Sequence, residues 1–134
     1  NGAANGSVNI WDLQTDKLVT SLDHESRSAT RILISPDGKL LAVASKDWTN
    51  AGKNTRGYLT MWNLESGKEL WTVIGDSRYV SAVAFSPDGK KLATGNADHR
   101  ARLLDVATGK VLMRFPHYHP TWIYAVAFSP DGKT

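Results

Sequence analysis

Histidine and aspartate are the residue types here that could do chemistry. The chain has four histidines, His24, His99, His117 and His119. His117 and His119 stand two apart, so on a strand they would share a face. With His99 they could offer three imidazoles to a metal ion. Asp47 and Asp98, with His24 and His119, are the types that general acid–base work uses. Against both readings, no cysteine or acidic ligand stands beside the histidine pair. No G-x-S-x-G elbow and no phosphate-binding loop occurs. The expectation is no metal, no cofactor and no enzymatic activity.

A second kind of chemistry is recognition. Arg, Tyr and Trp dominate the energetics of protein interfaces. They gather in three places: Trp48, Lys53 and Arg56; Arg78 and Tyr79; and His99 and Arg100 with Tyr118 and Trp122. Whether these places meet depends on the elements that carry them.

Those elements are marked by a repeat. Ser-Pro-Asp-Gly-Lys occurs at 35–39, 86–90 and 129–133, each time after an apolar run. The prolines are 51 and 43 residues apart (87 − 36 and 130 − 87). A period near 40 marks one supersecondary unit used repeatedly. Pro presets φ at the first central position, and Asp and Gly tolerate the turn conformations after it, so each copy is a turn between strands a and b. Strand c reads Val8–Leu13, Leu59–Leu64 and Ala101–Val106. A second turn comes at constant offset, at Thr15-Asp16-Lys17, Ser66-Gly67-Lys68 and Thr108-Gly109-Lys110. Strand d is next, at Lys17–Leu22, Glu69–Ile74 and Val111–Phe115. Strand a is expected at Ala29–Ile34, Tyr79–Phe85 and Trp122–Phe128, and strand b of the second unit at Lys91–Gly95. Four short antiparallel strands, repeated, make the blade of a β-propeller.

The chain resembles the WD-repeat family over essentially its whole length. Trp11-Asp12 is the family dipeptide, and Trp62-Asn63 and Leu104-Asp105 are half-matches. The resemblance implies an all-β fold and a buried network within each blade, made from a His, a strand-b Ser/Thr, an Asp and the Trp. The matching positions are His24, Ser45, Asp47 and Trp62 in the first full blade, Asp76 and Asp98 in the second, His119 in the next, and Trp11 in the first. No repeat has all four in register: the first full blade comes nearest, with His24 one residue off the family position. Blade stability should therefore rest on apolar packing, with some of these polar groups solvated or re-paired.

The units are a partial blade at 1–22, full blades at 23–74 and 75–115, and strand a of a further blade at 116–134. That is about two and three-quarter blades, and closure takes about 4–8. Two explanations stand: a segment of a larger protein, or identical copies closing a ring, with the segment favoured. Partners are then other proteins, and further blades from the same chain or from copies.

In this frame the a–b and c–d turns share one rim, dressed with Lys17, Lys39, Lys68, Lys90, Lys110 and Lys133. The b–c and d–a connections share the other, and they are irregular. Pro36 to Trp62 is 26 residues and Pro87 to Leu104 is 17, so nine extra residues fall within 48–56. The nine residues from Trp48 to Trp122 named above form the candidate binding patch. Trp48 either reaches a partner or folds back onto its own blade. Alanine at Trp48 and Arg78 should weaken partner binding and spare the melting temperature.

Bulk composition sets the outer bounds. Sixteen basic and thirteen acidic residues give a net charge of +3, interspersed and without a basic run, which argues against nucleic acid. There is no cysteine, no membrane-length apolar stretch and no signal-peptide pattern at the start. A cytoplasmic location is expected. The channel-facing strands a carry only Arg31, Tyr79 and Tyr124 as ionisable groups, giving no carboxylate pair. The function expected is a protein–protein interaction scaffold. The alternative is an enzymatic or small-molecule-binding propeller whose active residues lie in other blades.

Overall fold

The computed structural model describes residues 6–23, 27–47, 56–75, 80–115 and 121–134. Ten strands run in order: β1 (Ser7–Asp12), β2 (Lys17–Asp23), β3 (Arg27–Ile34), β4 (Leu40–Asp47), β5 (Gly57–Asn63), β6 (Lys68–Ile74), β7 (Val80–Phe85), β8 (Lys91–Asn96), β9 (Ala101–Asp105) and β10 (Val111–Arg114). They form a β1–β2 hairpin and two four-stranded antiparallel sheets, β3–β4–β5–β6 and β7–β8–β9–β10. This is an all-β, partial propeller of four-stranded blades. The described residues contain no helix long and apolar enough to cross a membrane.

The core lies between the blades. One cluster joins Val8 and Leu22 of the hairpin to Leu41, Val43 and Trp62. The other joins Ala42, Ala44, Leu59 and Met61 to Val80, Val83, Leu92, Leu104 and Val106. Successive residues of β4 thus enter opposite clusters, as period-2 geometry requires. Both faces of β4 are covered, which is why its sequence is a continuous apolar run rather than an alternating one.

A hydroxyl ties the β3–β6 sheet to the β7–β10 sheet, and another ties the β7–β10 sheet to residue 123. The β3–β4 ladder skips a residue at Thr30, and the β7–β8 ladder skips one at Ser81. At each of these bulges the freed side chain reaches two carbonyls. Thr30 Oγ1 lies 3.2 Å from Ala44 O and 3.3 Å from Val80 O of the next blade. Ser81 Oγ lies 3.0 Å from Gly95 O and 2.6 Å from Ile123 O. The Trp71 indole adds a second tie, donating to Val106 O across the joint at 2.9 Å.

Residues 122–128 differ from expectation: they form no strand, although Ile123 packs where the next strand a belongs. A Cβ on Gly95 would come within 2.6 Å of Ile123, so β8 has no side chain at that point of close approach. A strand is defined by its ladder, and among the described residues no segment pairs with 122–128.

Candidate functional site

The Ser-Pro-Asp-Gly-Lys rim is self-contained. The serine hydroxyl donates to the aspartate two residues on, at 2.5, 2.6 and 2.6 Å for Ser35–Asp37, Ser86–Asp88 and Ser129–Asp131. The lysine N–H donates to the same oxygen at 3.1, 3.0 and 3.1 Å. These bonds, the serine's first, hold all three carboxyls below the usual aspartate range. Asp12 is lowered likewise, chiefly by the Thr15 N–H and then by the Gln14 N–H. Its counterparts Asn63 and Asp105 accept from Ser66 and Thr108 N–H at 2.8 Å. The acidic half of the Trp-Asp dipeptide therefore caps the c–d turn.

The network positions separate the blades. In the β3–β6 blade, Ser45 is fully buried and its Oγ has no hydrogen-bond partner among the described residues. Asp47 ends β4, and its N–H donates to Arg56 O at 3.2 Å. Trp62 is packed among Val8, Leu22, Leu41 and Val43. Its counterpart Trp11 is 51% exposed, on the one hairpin with no further sheet against it among the described residues. In the β7–β10 blade, Asp98 is re-paired. Both its oxygens face the Arg102 guanidinium in a bidentate ion pair. Arg102 is 8% exposed and shares a face of β9 with Leu104. Asn96 stands where the first blade has Ser45, and its Nδ2 donates to Arg100 O at 3.0 Å. His24, Asp76 and His119 lie outside the described residues, as does the His117–His119 pair.

Of the rim patch, Arg56, His99, Arg100 and Trp122 are described. Trp48, Lys53, Arg78, Tyr79 and Tyr118 lie outside the described residues. The fold brings His99 and Trp122 together across 23 residues of sequence (122 − 99). His99 occupies a left-handed turn position, φ 67°, in a turn closed by His99 N–H to Asn96 O at 3.1 Å. With Thr121, Trp122 and Tyr124 it lines an open cleft of about 280 Å³. The Trp122 and Tyr124 rings sit 6.3 Å apart at 50°. Arg56 and Arg100 are exposed. On the same rim, Arg27 stacks over the Tyr58 ring, 4.1 Å from its centroid.

Arg27, Tyr58, Tyr124 and Arg102 were not among the residues singled out from sequence as site residues. Arg27 had a signal: it sits at the repeat position of Arg78, 51 residues earlier. Arg102 had one too, a charge two residues before the buried Leu104 on a strand.

The turn geometry, the blade order and the stacked joints are repeated features, and comparison with known proteins agrees with them. Residues 53–131 match the model of the anaphase-promoting complex subunit 4 WD40 domain, and residues 16–49 match the WD domain, G-beta repeat. The chain belongs to the WD-repeat family. Its WD-repeat relatives include the WD repeat-containing protein SL1-17 of Schistosoma mansoni, 28% identical over 83% of this chain and 34% of the relative. WD repeat and SOCS box-containing protein 1 of Xenopus tropicalis is 32% identical over 78% of this chain and 23% of the relative. Target of rapamycin complex subunit wat1 of Schizosaccharomyces pombe is 29% identical over 85% and 34%. The chain thus spans about a third or less of the length of these relatives.

Proposed function

We propose that this WD-repeat segment is a protein-binding scaffold and that partners engage the rim of the b–c and d–a connections. The observation that carries the reading is the contrast between the rims. On the turn rim the Ser-Pro-Asp-Gly-Lys carboxylates are each spent on their own turn, whereas the other rim carries exposed Arg56 and Arg100 and an open cleft lined by His99, Thr121, Trp122 and Tyr124. Exposed Arg and aromatic side chains on a rigid scaffold are the usual anchors of an interface. The wat1 relative is by name a subunit of a complex, which fits a scaffold. On this reading the chain acts by binding rather than turnover. The remaining blades come from further repeats of one chain, because the matched region is only about a third or less of each relative.

The test uses the intact protein with a paired Arg100→Ala and Trp122→Ala variant and a Lys39→Ala, Lys90→Ala variant on the turn rim. Proteins co-purifying with each are quantified. The first variant should lose partners that the second retains, at an unchanged melting temperature. Equal loss from both, or from neither, refutes the rim assignment. Light scattering that found a closed ring of identical copies would refute the further-repeats reading.

A further inference from the structure

The rim of the b–c and d–a connections carries two exposed guanidinia that the fold does not neutralise. Arg56 stands just before β5 and Arg100 just before β9, one in each four-stranded blade. Arg100 is held by its backbone alone: its N–H donates to Asp98 Oδ1 at 3.3 Å, and its carbonyl accepts from Asn96 N and Nδ2 at 3.2 and 3.0 Å. Arg56 likewise offers its carbonyl to the Asp47 N–H at 3.2 Å. Neither guanidinium has an ion pair or a ring contact among the described residues.

The carboxylate nearest in sequence to Arg100 is already committed. Asp98 turns both its oxygens to the Arg102 guanidinium, so its charge is balanced inside the blade. The first blade shows what a closed version of this position looks like. An offset of 42 residues carries Trp62 to Leu104 and Tyr58 to Arg100. Tyr58 is covered by Arg27, 4.1 Å from its ring centroid, so cation and ring satisfy each other within one blade. In the second blade a cation stands in the place of that ring.

The residue before Arg100 leads to the aromatic side of the rim. His99 lines the open cleft with Thr121, Trp122 and Tyr124, and no carboxylate lines it among the described residues. The Trp122 and Tyr124 rings lie 6.3 Å apart at 50°, and an incoming ring can join them in the same tilted geometry.

We propose that this rim binds an extended acidic peptide segment carrying an aromatic residue, the ring entering the cleft and the flanking carboxylates meeting Arg100 and Arg56. A guanidinium takes a carboxylate through two parallel charge-assisted hydrogen bonds, and such complementarity selects a partner. Nucleic acid is the other polyanion, but it calls for a continuous basic stripe, whereas this rim offers two guanidinia one blade apart. The inference rests on the rim reading above and adds the chemistry of the partner.

The experiment titrates the intact protein with fluorescent synthetic peptides and follows anisotropy. One peptide has glutamates flanking a tryptophan, a second has glutamines in place of the glutamates, and a third has alanine in place of the tryptophan. The first should bind, each of the others about tenfold or more weakly, and its affinity should fall as salt is raised. Arg56→Gln and Arg100→Gln should each weaken the first peptide severalfold and leave the second unchanged. Trp122→Ala should weaken both peptides that carry tryptophan; if it lowers the melting temperature, Tyr124→Ala takes its place. The Lys39→Ala, Lys90→Ala variant should bind as the wild type does. Equal affinity for the glutamate and glutamine peptides, with Trp122→Ala still weakening both, overturns the acidic partner and leaves the rim reading standing. Weakening by the Lys39→Ala, Lys90→Ala variant with Arg56→Gln and Arg100→Gln unchanged overturns both. No binding of the first peptide, or tighter binding of a single-stranded oligonucleotide than of that peptide, overturns the proposal, and the co-purification test then decides the rim reading alone.

Discussion

β4 reads Leu-Leu-Ala-Val-Ala-Ser and β8 reads Lys-Leu-Ala-Thr-Gly-Asn at the same six blade positions. The first is apolar until its last residue. The second places Thr94 and Asn96 where the first has Val43 and Ser45. β4 lies between the β1–β2 hairpin and the β7–β10 sheet, so both its faces feed apolar clusters. In the β7–β10 blade a buried arginine is balanced by Asp98. The frame fixes which positions face each other across a joint; the side chains at those positions then decide how it is filled.

The sharpest check is whether the frame is shared. Leu41 and Leu92 are equivalent and at most 1% exposed. Leu41→Ala and Leu92→Ala should each cost about 3 kcal/mol in chemical denaturation. A twofold difference between them would mean the blades are not equivalent cores.

Next come the c–d turns. Gly67 and Gly109 have φ of 65° and 70°, and a Cβ on Gly109 would meet the Trp71 ring at 2.9 Å, whereas one on Gly67 meets only Leu22 at 4.0 Å. Gly67→Ala should cost the backbone term alone, about 1 kcal/mol. Gly109→Ala should cost about 2 kcal/mol or more, because it also displaces the inter-blade indole. Equal costs would remove Trp71 as a tie between the blades.

The polar interiors separate the blades most directly. Arg102→Ala leaves Asp98 without this partner and should cost about 2 kcal/mol, less than the ~3–5 of a fully enclosed pair, since Asp98 is 24% exposed. Ser45→Ala should change stability by less than about 0.5 kcal/mol, because no described group depends on that hydroxyl. A large loss at Ser45 would reveal a network in the first blade as well.

The smallest effect lies in acid. Asp37 and Asp88 have folded values below 3.8, so their turns contribute fully above that value and lose the contribution as pH falls through the lowered one. Asp37→Asn and Asp88→Asn should flatten the acid limb of the stability profile alike, one in each blade. Unequal flattening would break the equivalence of the two turns.

Much of this was legible from residues alone. Ser-Pro-Asp-Gly-Lys closes the same turn three times, because its hydroxyl, carboxylate and glycine act within six residues of one another. The strand order came from those turns, and the family resemblance rested on them. The Trp-Asp dipeptide does not fix burial: its Asp caps the c–d turn, and its Trp is buried in β5 but half exposed in β1. Burial of that tryptophan depends on what stacks beside it, which the dipeptide cannot express. His99 and Trp122 were expected on one rim and do meet. The role of Arg102 was not expected, because a charge on a strand does not show that Asp98, in the turn before it, will fold back to meet it.

The amino-acid order by itself determined the turns, the four-strand unit and the two rims, since each arises from contacts within a few residues. The tertiary structure decided the joints: Thr30 reaching Val80 and Trp71 reaching Val106. Those hydrogen bonds join residues 50 and 35 apart, and their energies depend on shape and charge meeting across a stacked interface, which no local pattern encodes.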